Sequence, residues 1–208
     1  MVVTAKRQRL SADEAKARIL EAAEVQLIEG GPRHVRVQAL ARSLGITDAA
    51  IYHHFGTRDE LLSSLLRFGG RRLRAEVRRV LQSWDGSTFD LAPMVDEILE
   101  VLDDRGYARL AVWLWMTGRE SRGKGFFEDF VDVLGAARER HARIHGWACP
   151  SEAETRRRTA LFAAVLFGEP ILGDAARRSV PLPTGKAATG EYRQWLVTTL
   201  RTMMLAPE

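Results

Sequence analysis

Cysteine is the scarcest residue here. Cys149 stands alone among 208 residues, so no disulfide can close within the chain, and a reducing compartment is the natural setting. Long apolar runs are also missing. The greasiest stretch, from Arg109 to Met116, falls well short of the roughly 18 to 20 residues that a membrane-spanning helix requires. The opening residues, MVVTAKRQRLSADE, carry charge but no apolar stretch ending in a cleavage site. The expectation is therefore a cytoplasmic chain with neither a signal peptide nor a membrane partner. Strand-like alternation and fixed-period repeats are absent, which argues against a β fold and against a solenoid. Neither a complete phosphate-binding Gly-x-x-x-x-Gly-Lys-Ser/Thr motif nor a Gly-x-Ser-x-Gly pattern occurs, since Gly125 follows Gly123-Lys124. His141 and His145 are spaced to share one helix face, but no third or fourth metal ligand stands at usable spacing. These gaps lead us to expect neither an enzyme nor a cofactor.

What is present is apolar, charged and helical. Hydrophobic residues make up 46% and charged residues 28% of the chain, enough to bury a core without metal or disulfide staples. The net charge of +4 is unevenly spread: residues 1–80 carry +6 and the remainder −2. A basic first third suits a surface that faces phosphates.

Helix signals recur along the chain. Residues 1–10 read as a loose basic arm, in which Arg7 and Arg9 are placed to reach a nucleic-acid backbone or minor groove. Ser11-Ala12-Asp13-Glu14 is a capping box that opens a helix with Ala15, Ile19, Ala22, Ala23 and Leu27 on its stripe and Glu21 and Glu24 off it. Gly30-Gly31-Pro32 ends that helix. Val37 to Leu44 forms a second, short helix stopped by Gly45, with Ile46 as an apolar plug in the turn. Thr47 caps a third, Asp48 to His54, whose Ile51 and Phe55 point inward. Thr57-Arg58-Asp59-Glu60 is another capping box and starts a long helix running to about residue 81, with a bend or a close contact expected at Gly69-Gly70. Further helices are expected over about 89–103, 105–119, 124–146, 151–178 and 188–205, the fourth opened by the capping box Ser151 to Glu154 and kinked or broken at Pro170.

The informative segment runs from Val37 to Leu62, VQALARSLGITDAAIYHHFGTRDELL. Two short helices around a tight glycine turn make a helix-turn-helix. Small residues at Ala49 and Ala50 let the second helix approach base edges, while Thr47, Tyr52, His54 and Arg58 offer donors to phosphate. Leu40-Ala41, Gly45-Ile46-Thr47, Ile51-Tyr52-His53-His54-Phe55 and Arg58-Asp59-Glu60-Leu61-Leu62 together resemble the TetR (tetracycline-repressor-like) family of regulators over about the first 65 residues. The resemblance implies an all-α fold, with a three-helix DNA-binding head and a helical-bundle body that binds a ligand and dimerises. It also implies a homodimer on a palindromic operator in double-stranded DNA, released by a small apolar or amphipathic effector, with the long helix from Thr57 as the lever. The expected division is residues 1–57 for DNA binding and 58–208 for regulation.

Carried over residue by residue, the resemblance gives Thr47, Tyr52 and His54 to phosphates and Ala49, Ala50 and His53 to the groove; Arg36, Gln38, Arg42 and Arg58 are added as basic or polar contacts. The sequence departs from the family in lacking Thr at 36 or 37, in having Arg58 where Lys is common, and in the acid Asp48, which either caps the helix or accepts from a cytosine amino group. Two of these departures, at Asp48 and at 36 or 37, support a rival reading, a small-molecule-binding or protein-interaction module with a non-functional motif. Candidate pocket residues in the body are Met94, Leu110, Trp113, Leu114, Met116, Phe126, Phe127, Phe130, Phe162 and Phe167. Candidate interface residues are Leu161, Val165, Ile171, Leu172, Trp195, Leu196, Thr199 and Met203, on the last two helices.

Overall fold

The computed structural model describes residues 11–82, 91–119, 128–183 and 185–207, and among these every regular element is helical. The chain divides into two compact units, Met1–Phe68 and Gly69–Glu208.

The first unit holds α1 (Ala12–Gly30), α2 (Val37–Leu44), α3 (Asp48–Phe55) and the start of α4 (Arg58–Gln82). α1, α2 and α3 pack on one another pairwise. Their interior is the expected stripe: Ile19, Ala23, Leu27, Leu40, Ala41, Ile51, Phe55, Leu61, Leu62 and Leu65 are all buried. Local chemistry sets the boundaries. The Ser11 box closes in both directions, with Ser11 N donating to Glu14 Oε2 at 2.7 Å and Glu14 N donating to Ser11 Oγ at 3.2 Å. Those Ser11 contacts, the backbone N–H first, hold the Glu14 carboxyl below its ordinary range. The Thr57 box closes likewise, at 2.8 and 3.2 Å.

Two details correct the sequence reading. Glu24 is buried rather than off the stripe, because α1 is covered by two helices, not one. Ile46 is 39% exposed and plugs nothing. The turn is instead closed by backbone: Gly45 is left-handed at φ 63°, and Ile46 N donates to Ala41 O at 3.0 Å.

The second unit takes the rest of α4, then α5 (Ala92–Leu99), a π-helical turn (Glu100–Asp104), α6 (Tyr107–Met116), α7 (Glu128–His145), α8 (Glu152–Ser179) and α9 (Lys186–Leu205). α8 is central and packs on α5, α6, α7 and α9. Of the features expected at Gly69-Gly70 and Pro170, the close contact is present at Gly69 and the helix is not broken at Pro170. α4 is continuous through Gly69-Gly70, and the reason for glycine is a close approach: a Cβ at Gly69 would overlap the Tyr107 ring. α8 runs uninterrupted through Pro170. Ser151 Oγ accepts from Glu154 N at 3.2 Å, while the Glu154 carboxylate takes Arg157 and Arg158. By length and composition α8 could cross a membrane: an 18-residue window has mean hydropathy 1.4 and is only 22% buried. Its two mid-helix acids, Glu169 and Asp174, are both paired to Arg177. The basic arm 1–10, with Arg7 and Arg9, lies outside the described residues, as do Phe126 and Phe127.

Candidate nucleic-acid interface

α3 is eight residues long and amphipathic by geometry. Ile51 and Phe55, at i and i+4, are buried against the unit. Ala49, Tyr52 and His53, at i, i+3 and i+4, share the opposite face and are exposed, Tyr52 at 46%. Ala50 and His54 flank that face half-buried. Both ends of the helix are pinned. Thr47 holds extended backbone and its Oγ1 accepts from Ala50 N at 3.2 Å. At the other end Gly56 adopts φ 76° and its N–H donates to Tyr52 O at 2.7 Å. A short helix fixed at both ends keeps its outer face in one orientation, which a groove-reading element needs.

The basic and polar candidates around α3 are not equivalent. Arg36, Gln38 and Arg42 are exposed along α2, and Arg36 N donates to Gln26 Oε1 at 2.9 Å, tying the start of α2 to α1. Gln26 was not singled out from sequence; its only signal is a polar side chain facing the end of the α1–α2 loop. Arg58 behaves differently. It is half-buried, with Nε donating to Val35 O at 2.9 Å and a terminal nitrogen to Pro32 O at 2.6 Å. Its guanidinium thus clamps the α1–α2 loop to the start of α4. Asp48 sits at the first helical position, beyond the Thr47 cap, so the capping hydrogen bond belongs to Thr47 and not to Asp48. An acid there still complements the positive end of the helix.

The candidates in the second unit separate more sharply. Met94, Leu110, Leu114, Phe130 and Phe162 are buried core, and Trp113 and Phe167 are half-buried. Met116 is 75% exposed at the end of α6 and lines no interior space. On α8 and α9, Leu161, Leu172, Trp195 and Thr199 are exposed, while Val165, Ile171 and Met203 are half-buried. Leu196 is 6% exposed and packed within its own unit, out of a second chain's reach, because it lies on the inner face of α9 with Leu200 and Met204. Among the described residues no group of three or more His, Cys, Asp or Glu side chains is placed to hold a metal ion.

Residues 19–65 match the family described as bacterial regulatory proteins, tetR family. The HTH-type transcriptional regulator Rv1816 of Mycobacterium tuberculosis and the HTH-type transcriptional regulator Mb1846 of Mycobacterium bovis are each 31% identical over 94 residues, 43% of this chain. The match spans about 40% of the length of these curated relatives. Two solved structures share the fold nearly end to end. The fatty acid degradation regulator FadR from Bacillus halodurans aligns with a TM-score of 0.60 at 18% identity, covering 96% of this chain and 97% of that one. AibR, solved with isovaleryl coenzyme A and operator DNA, aligns with a TM-score of 0.58 at 17% identity, covering 94% and 100%.

Proposed function

We propose that this chain, whose N-terminal head matches the tetR family over residues 19–65, is a member of that family and a DNA-binding transcriptional regulator that acts as a homodimer and is released from its operator by a small molecule. The observation that carries this reading is the doubly pinned α3, whose exposed face is made of Ala49, Tyr52 and His53. Two such helices, related by a two-fold axis, would enter successive major grooves about 34 Å apart. Residues 1–57 are assigned to DNA binding and 58–208 to regulation.

Thr47, Tyr52 and His54 are assigned to phosphates. Ala49, Ala50 and His53 are given to base edges, and Arg36, Gln38 and Arg42 to flanking contacts. Arg58 supports the head chiefly by tying the α1–α2 loop to the start of α4. Dimerisation is given to α8 and α9, because the apolar side chains Leu161, Leu172 and Trp195 stand in solvent there and most of the apolar window of α8 is unburied within the chain. The effector is a small apolar or amphipathic molecule. It weakens operator binding only to the extent that it prefers one shape of the protein over another.

A gel shift on the DNA upstream of the gene, repeated over a salt series, tests this. Wild type should prefer one palindromic site, and Arg42→Ala should bind more weakly and flatten the salt slope by about one charge. Binding indifferent to sequence and to palindromy would refute the proposal.

A further inference from the structure

The second unit carries a cleft that DNA binding does not use. It lies where the C-terminal ends of α7 and α9 meet, measures about 340 Å³, and is walled in part by His141, Trp147, Arg201, Thr202, Leu205 and Pro207. That volume lies at the lower end of the range for small-molecule sites. Both walls are held in place. On one, Gly146 ends α7 at φ 68° and Trp147 N donates to Ala142 O at 2.9 Å. The His141, His145 and Trp147 rings pack as one aromatic block, with centroids 4.1 Å apart between the histidines and 5.4 and 5.0 Å from each to the indole. On the other wall, Arg158 grips the end of α9, donating to Met203 O at 2.8 Å, Ala206 O at 2.6 Å and Pro207 O at 3.3 Å. Arg158 is itself fixed by Glu154 at 2.8 Å.

Among the described residues the charge of the cleft has one sign. Arg201 lines it, is exposed, and makes no hydrogen bond or ion pair with any described residue. No Asp or Glu appears among the described lining residues, and the adjoining hollow adds Arg138, whose terminal nitrogen donates to Thr155 Oγ1 at 2.6 Å. The Thr198 and Thr202 hydroxyls donate to the Gln194 and Thr198 carbonyls, so they are not free donors for a multiply charged phosphate.

We infer that this cleft binds a small aromatic carboxylate, with its ring against the Trp147 face and its carboxylate on the Arg201 guanidinium. A single guanidinium fork matches a single carboxylate in geometry and charge, and an indole face matches a planar ring. The inference does not depend on DNA binding, since every residue involved lies in the second unit.

Calorimetry of the full chain with 2-naphthoate, followed in parallel by tryptophan fluorescence, tests it. Wild type should bind one probe per chain. Arg201→Gln should weaken binding about tenfold or more, and replacing the acid by neutral 2-naphthamide on the wild-type protein should do the same. Trp147→Leu should weaken binding roughly fivefold and abolish the fluorescence response. An absence of binding by wild type, an unchanged affinity in Arg201→Gln, or equal affinity for the amide would each overturn the inference.

Discussion

The two units of this chain are held together over different sequence distances. In the first, the polar contacts that define the helices span three residues: Ser11 with Glu14, Thr47 with Ala50, and Thr57 with Glu60. A longer link there runs from Arg58 to Pro32, 26 residues apart. In the second unit Arg158 reaches 48 residues to Ala206, and Arg193 reaches 90 residues to Asp103 at 2.9 Å. Local caps occur in both units, Ser151 with Glu154 among them, but the second adds partners that meet only after the chain has folded back on itself.

Four experiments break or sharpen that contrast. The largest effect is expected from the packing of the first unit. Leu40 is fully buried, so Leu40→Ala should cost about 2–5 kcal/mol in chemical denaturation. Hydrogen exchange should locate the lost protection in residues 19–65 and not in α8 or α9; a uniform loss would erase the distinction. Next, Arg158→Met should cost about 1–3 kcal/mol by stranding the Met203 and Ala206 carbonyls, and the damage should appear as fraying of the end of α9. An unchanged melting curve would show that the long-range grip is ornamental.

Thr47→Ala should then cost about 1 kcal/mol through the lost cap and weaken operator binding as well, whereas Thr47→Ser should restore both. Equal behaviour of the two substitutions in denaturation and gel shift would remove Thr47 from both roles. The smallest effect concerns pH. Burial, then His145 and Arg201, hold His141 below its ordinary 6.5. The unfolded chain therefore takes the proton more readily than the folded one, and stability should fall as pH drops through about 6.5. His141→Gln should flatten that acid-side slope in urea titrations between pH 7 and 5.

The same contrast explains what could be read in advance. α1, α2 and α3, their caps and the inward pair Ile51 and Phe55 follow from spacing and turn chemistry, because period and capping are local signals. Arg58 shows where that reading stops. Its position at a helix start suggests a phosphate contact, but its partners are carbonyls 23 and 26 residues upstream, which no local pattern announces. In the body, an apolar residue on a helix can face its own core, as Leu196 does, or solvent, as Met116 and Trp195 do. Helical period alone does not say which side has neighbours. The cleft beside Trp147 was invisible for the same reason, since its walls lie about fifty residues apart in sequence.

The Arg58 clamp also bears on the order in which the protein is made. The two carbonyls it holds lie upstream, at Pro32 and Val35, so a growing chain that has emerged to the start of α4 already contains the atoms that close the α1–α2 loop onto α4. Low sequence separation of this kind favours rapid folding. The first unit is thus placed to mature on the ribosome while the helices that give the rest of the molecule its distant contacts are still being synthesised.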